Sequence, residues 1–181
     1  MNRPLTFNPP TSPPAALLQG LSPVIDARTR LIVLGSFPGV ASLQAGQYYA
    51  HPRNQFWPIL SALWGTDLRA LPYAERLEAM QGHGVGLWDV FAHCRREGSL
   101  DSAIRHAALN DLAGLKQRAP GLRAVAHNGA TSARAGKAVA SLASQGVASG
   151  ALPSTSPAFA AWTFERKLGA WREFFTAHGV A

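Results

Sequence analysis

The stretch that decides the fold is Leu31-Ile32-Val33-Leu34-Gly35-Ser36-Phe37-Pro38-Gly39. Four apolar residues run together and stop at a glycine, the pattern of a buried strand followed by a tight turn. Working outward, three further apolar runs have the same character: Val85 to Phe91 (VGLWDVF), Leu122 to Ala126 and, more weakly, Val147 to Leu152. Helical spacing fills the intervals. Asn54 to Trp64 reads as a helix in which Pro58 is tolerated because first-turn amides lack intrahelical partners. Pro72 to Gln81 reads as a helix with Pro at its start. Asp111 to Arg118 ends before Pro120, Ala130 to Ala143 is Ala-rich, and Trp162 to His178 closes the chain. Strands alternating with helices predict an α/β fold with a parallel sheet covered on both faces. Ligands of such sheets bind at the carboxyl ends of the strands. The loops after Leu34, Val90, Ala126 and Leu152 are therefore where function is expected.

Composition sets the outer limits. The 181 residues carry 17 Lys+Arg against 10 Asp+Glu, with 47% hydrophobic and only 15% charged residues. That suits one ordinary hydrophobic core and excludes a disordered chain. The first two dozen residues hold Pro4, Pro9, Pro10, Pro13, Pro14 and Pro23, so residues 1–20 are expected to be a Pro-rich tail and residues 21–181 a single domain. There is no long apolar run, so neither a signal peptide nor a membrane anchor is expected. The lone thiol, Cys94, leaves no disulfide framework and no Cys-ligated zinc or iron–sulfur cluster within the chain. It suits a reducing, cytoplasmic setting. The six His lack metal-site spacing, and no metal or cofactor is expected.

The charge is uneven. Residues 115–181 contain eight basic and two acidic side chains, and no acid lies between Asp111 and Glu165. Arg dominates the excess. A GC-rich coding sequence produces the same bias, but Arg also suits planar, bidentate partners such as the phosphates of nucleic acid.

The loops carry the chemistry. Gly35 to Gly39 is a turn whose amides can face a ligand. It continues into Gly46-Gln47-Tyr48-Tyr49-Ala50-His51-Pro52-Arg53-Asn54-Gln55-Phe56-Trp57. Aromatic faces interleaved with polar donors are what an extruded base requires. Singly, Phe56 and Trp57 read as core and Asn54 as a helix cap. Asp89 interrupts an apolar run and must be partnered or functional. His127-Asn128-Gly129 opens a helix with amides available to an anion. Ser154-Thr155-Ser156 lies between two prolines and is followed by Phe159, a rigid hydroxyl loop suited to a backbone phosphate and an apolar wedge. No nucleotide-binding, zinc-protease or serine-hydrolase box is present.

GSFPGVASLQAGQYYAHPRNQFW at 35–57, GLWDV at 86–90, HNG at 127–129 and LPSTSPA at 152–158 resemble the uracil-DNA glycosylase superfamily, and within it the hypoxanthine-DNA glycosylase branch. The similarity runs in order over roughly residues 22–178. Mismatch-specific uracil glycosylases have an Asn in the turn where this chain has Ser36. The iron–sulfur branches need four cysteines. The resemblance implies a three-layer α/β/α sandwich with a central four-stranded parallel sheet. It implies a DNA repair enzyme that flips a deaminated base and hydrolyses its N-glycosidic bond as a monofunctional glycosylase. Hypoxanthine leads, with uracil or xanthine as alternatives and a non-catalytic nucleic-acid-binding module as the competing class. It further implies Asn54 as the catalytic amide, with Ser36 of the turn as the second catalytic residue. Gly35, Phe37, Pro38, Gly39, Tyr49, Trp88 and Asp89 would surround the base, with Tyr49 stacking on it. His51, Arg53, His127, Asn128, Gly129, Ser154, Thr155, Ser156 and Phe159 would meet the DNA. Phe159 stands where a polar residue is expected, so it is either an aromatic wedge or part of the core. No Lys lies near Asn54 in sequence, which argues against a Schiff-base lyase step. A monomer is expected.

Overall fold

The computed structural model describes residues 16–181. Its centre is a four-stranded parallel sheet made by β2 (Leu31–Gly35), β3 (Val85–Asp89), β6 (Ala124–Asn128) and β7 (Ala148–Leu152), in the order β3-β2-β6-β7. The first three are buried along their whole length, which is why each reads as an unbroken apolar run. Strand alternation divides the core into two faces. Leu31, Val33, Val85, Leu87, Ala124 and Ala126 face one cluster, filled by Phe56, Ile59 and Leu60 of α2 (Phe56–Trp64), Met80 of α3 (Tyr73–Gly82), and Trp171 and Phe175 of α6 (Phe164–Ala177). Ile32, Leu34, Trp88 and Val125 face the other, covered by Leu115 of α4 (Leu115–Arg118) and by Val139 and Leu142. Helical layers on both faces of a parallel sheet are the expected three-layer arrangement.

The Ala-rich segment divides. It forms α5 (Ala130–Arg134) and then a 3-10 stretch over Gly136–Gln145, with the change at Gly136. α1 (Val40–Ala45) follows the Pro38-Gly39 turn.

A second sheet does not appear in the sequence reading. β1 (Leu17–Gln19), β4 (Phe91–Arg95) and β5 (Arg105–Leu109) pair antiparallel in the order β1-β4-β5. The run VGLWDVF is thus shared by two strands, with only Val90 between the end of β3 and the start of β4. Leu17–Gln19 also revises the expected tail. Residues 1–15 lie outside the described residues, but Leu17–Gln19 belongs to the fold, held by β4. Among the described residues no helix is long and apolar enough to cross a membrane.

Candidate active site

At the carboxyl ends of the parallel strands lies a cavity of about 320 Å³, large enough for one nucleobase. Its floor is set by strand register. Gly35 is the direct partner of Asp89 across β2 and β3, and Asn128 ends β6 on the same face of the sheet. A Cβ built on Gly35 would lie 2.2 Å from Asp89 Oδ1, so only glycine leaves room for that carboxyl group. Asp89 is 4% exposed, and its Oδ2 has no hydrogen-bond partner. Burial, reinforced by the Asp101 carboxylate, pushes its pKa up to about 7 against the opposing pull of the Arg96 guanidinium.

Tyr49 forms one wall. Its ring stacks on Phe56 with centroids 4.0 Å apart, and its hydroxyl accepts a hydrogen bond from Asn128 Nδ2 at 3.1 Å. Burial, then the Asp89 carboxylate, drives the Tyr49 hydroxyl well above the ordinary phenol range. Its backbone sits at φ 55, a left-handed conformation uncommon outside glycine and characteristic of constrained sites.

Asn54 also lines the cavity. Its Oδ1 accepts from the Phe56 amide at 2.9 Å. The residue, one position before the Gln55 cap, is therefore both a side-chain turn leading into α2 and a cavity group. Because this bond fixes the oxygen, the side-chain orientation is set before any ligand arrives.

The turn after β2 adds Ser36, Phe37, Pro38 and Gly39. The Ser36 hydroxyl donates to Asp101 Oδ1 at 2.7 Å. Arg96, buried behind the turn, donates to the Pro38 carbonyl and lies over the Phe37 ring at 5.1 Å.

The opposite rim is the 153–159 loop. Thr155 is fully buried: its amide donates to Asn128 Oδ1 at 2.9 Å, its hydroxyl accepts from Asn128 Nδ2 at 2.9 Å, and its carbonyl accepts from the Gln55 amide at 2.9 Å. Ser154 and Ser156 hydroxyls accept from the amides of Ser156 and Ala158, stiffening the loop from within. Gly129, at φ 97, lets β6 pass the loop closely, since a Cβ there would lie 2.9 Å from Ser154 Cβ.

The structure brings most of the sequence-predicted residues to this cavity and turns two of them, Trp88 and His127, away from it. Trp88 does not reach the base pocket. Alternation turns it to the opposite face of the sheet, where Arg118 lies over its ring at 5.2 Å. His127 is likewise turned away, 2% exposed, its ring nitrogens 2.9 Å from Ser132 Oγ and 3.1 Å from Ser149 Oγ. Burial lowers its pKa, so it is a neutral structural pin and not a phosphate contact. Thr155 is spent on Asn128, as above. Arg53 is exposed beside the cavity and not on its wall. Phe159 resolves against the core: it is half-buried at the rim, 6.4 Å from the Trp162 ring. His51 lines the cavity, its Nδ1 accepting from the Arg53 amide at 3.2 Å.

Sequence proximity also misses two residues. Asp101 reaches the cavity from a turn between β4 and β5. Lys167 on α6 is 2% exposed, and its Nζ donates to Gln55 Oε1 and to the Phe159 carbonyl, both at 2.8 Å. A lysine thus stands beside the residue next to Asn54, contrary to the expectation from spacing. Both of its bonds tie α6 to the α2 entry and the rim loop, and it is not on the cavity wall.

The fold is thus a parallel α/β/α sandwich with an aromatic-walled cavity at its strand ends. Comparison with known proteins places it further. The family model for the Uracil DNA glycosylase superfamily matches residues 22–176, and the chain belongs to that superfamily. It is 45% identical over 111 residues to the hypoxanthine DNA glycosylase of Methanosarcina barkeri, covering 61% of this chain and 70% of that one. It is 37% identical over 140 residues to the hypoxanthine DNA glycosylase of Methanosarcina acetivorans, covering 77% and 87%. The solution NMR structure of a Methanosarcina acetivorans protein described as a uracil DNA glycosylase superposes with a TM-score of 0.74 at 33% identity, over 87% of this chain and 98% of that one.

Proposed function

We propose that the protein is a monofunctional DNA glycosylase that excises deaminated bases, hypoxanthine first among them. The relatives named for hypoxanthine support this substrate. The observation that carries it is the cavity itself, walled by Tyr49 and floored by Gly35 and Asp89, with Asn54 held by the Phe56 amide. A base turned out of the helix stacks on Tyr49. The C1′–N bond breaks with its electron pair leaving on the base. A water then adds its hydroxyl to C1′, and its proton ends on the released base. Asn54 cannot take a proton, so it acts by oriented hydrogen bonds to the base or the water. Amides of the Ser36–Gly39 turn are additional donors to the departing base. Lys167 is engaged by two acceptors, which favours hydrolysis over a Schiff base. Phe159 at the rim is the wedge that fills the vacated stack. Ser154, Ser156, Gly129, His51 and Arg53 meet the backbone. The protein acts as a monomer in the cytoplasm.

The test is alkaline cleavage of duplex oligonucleotides bearing deoxyinosine, deoxyuridine or deoxyxanthosine after incubation with the protein. Breaks at deoxyinosine above the other two are expected. Breaks only at deoxyuridine would reassign the substrate, and binding without breaks at any lesion would overturn the enzymatic reading.

A further inference from the structure

The carboxyl group of Asp89 has no established task in the fold. It sits at the cavity floor directly over Gly35, in space that any other residue at 35 would fill. It is buried, Oδ2 lacks a partner, and no ion pair joins it to Arg96 among the described residues. An ionised carboxylate so placed is costly. A neutral carboxyl group has instead one proton to give, and among the described residues Oδ2 finds no partner for it.

Resting on the glycosylase reading, we infer that Asp89 works as a neutral acid that donates a hydrogen bond to the exocyclic carbonyl oxygen of the deaminated base. Deamination converts an exocyclic amino group, a donor, into a carbonyl oxygen, an acceptor. A lone donor at the pocket floor pairs with that oxygen in hypoxanthine and in uracil. Its hydroxyl hydrogen opposes the amino hydrogens of adenine or cytosine, donor against donor, which leaves only its carbonyl oxygen to accept from them. The bond strengthens as the glycosidic electron pair moves onto the base and its oxygen gains charge, so Asp89 both selects the lesion and stabilises the leaving group. The environment maintains the neutral form: burial and the Asp101 carboxylate raise the pKa of Asp89, and Arg96 opposes them. Tyr48, Tyr49 and His51 are the remaining titratable groups on the cavity wall. Burial holds both tyrosines protonated across the working range.

Single-turnover excision, followed between about pH 5.5 and 9, tests this on duplexes carrying deoxyinosine or purine deoxyriboside, which lacks the exocyclic oxygen. The wild-type rate on deoxyinosine should fall as pH rises past about 7, as the donor ionises. Asp89→Asn keeps a neutral donor and should flatten that fall. Asp89→Ala should lose about 100-fold on deoxyinosine at the acidic end, the usual cost of one oriented donor. That loss should shrink at least several-fold on the purine analogue. A pH-fall that persists in Asp89→Asn overturns the inference, as does equal loss by Asp89→Ala on both substrates. If Asp89→Ala does not fold, the wild-type and Asp89→Asn profiles decide alone. Hypoxanthine excision indifferent to Asp89 removes this inference and leaves the glycosylase reading standing; no excision of any lesion removes both.

Discussion

At Gly35 a single absent side chain makes the pocket floor possible. A methyl group there would meet Asp89 Oδ1 at 2.2 Å. Gly35→Ala should therefore displace the carboxyl group and depress excision at least tenfold, with the fold intact by circular dichroism. Asp89 itself links the pocket to stability. Folding raises its pKa from 3.8 to about 7, so the stabilising contribution of the neutral form is complete below 3.8 and is lost as pH climbs through that interval. The gap corresponds to on the order of 4 kcal/mol. Asp89→Asn should melt higher than wild type at about pH 8 and lose that advantage at about pH 4, which thermal melts across pH would register. At Asn54, the turn into α2 and the cavity share one side chain. Asn54→Ala should cost about two to three orders of magnitude in excision rate, and about 1 kcal/mol in stability from the lost bond to the Phe56 amide.

Among the elements, α6 is the one whose influence reaches furthest. Lys167 fastens it to Gln55 at the head of α2 and to Phe159 in the rim loop, and Trp171 Nε1 adds a bond to the Pro153 carbonyl at 3.0 Å. Lys167→Met would leave two acceptors without a donor. A fall of about 1–3 kcal/mol in unfolding free energy is expected, read as a lower urea midpoint at unchanged slope. Neither Lys167 nor Asp101 announces itself in the sequence, because each reaches the site across a long separation, 112 residues for Lys167–Gln55 and 65 for Asp101–Ser36. Three of the parallel strands are legible because both of their faces are buried, whereas β7, mostly exposed, reads more weakly. β5 is not legible, because nearly all of it is exposed, and β1 sits in a proline-rich flank. The errors at Trp88 and His127 have one cause: neighbours in a strand point to opposite faces, so Asp89 and Asn128 took the cavity and Trp88 and His127 took the far core.

Over the whole molecule, the basic excess divides between internal and external work. Lys167 is buried, Lys116 donates to the Leu122 carbonyl at 2.7 Å, and Arg118 and Arg166 lie over indole rings. The late-chain charge is therefore a weaker guide to a DNA face than its sum suggests. Arg134 is better placed: its guanidinium donates to Thr131, a cavity-wall residue, at 2.9 Å. Arg134→Gln should weaken binding to damaged and undamaged duplex alike and lower the salt-dependence slope by about one. A titration at several salt concentrations would show it. The site joins Ser36 to Asp101, Tyr49 to Asn128 and Gln55 to Lys167. A nascent chain that has emerged only as far as the base-stacking motif thus owns the chemistry without the chamber. Each of these pairings closes a long loop at an entropic cost, so the chamber is framed only once the last helix has docked.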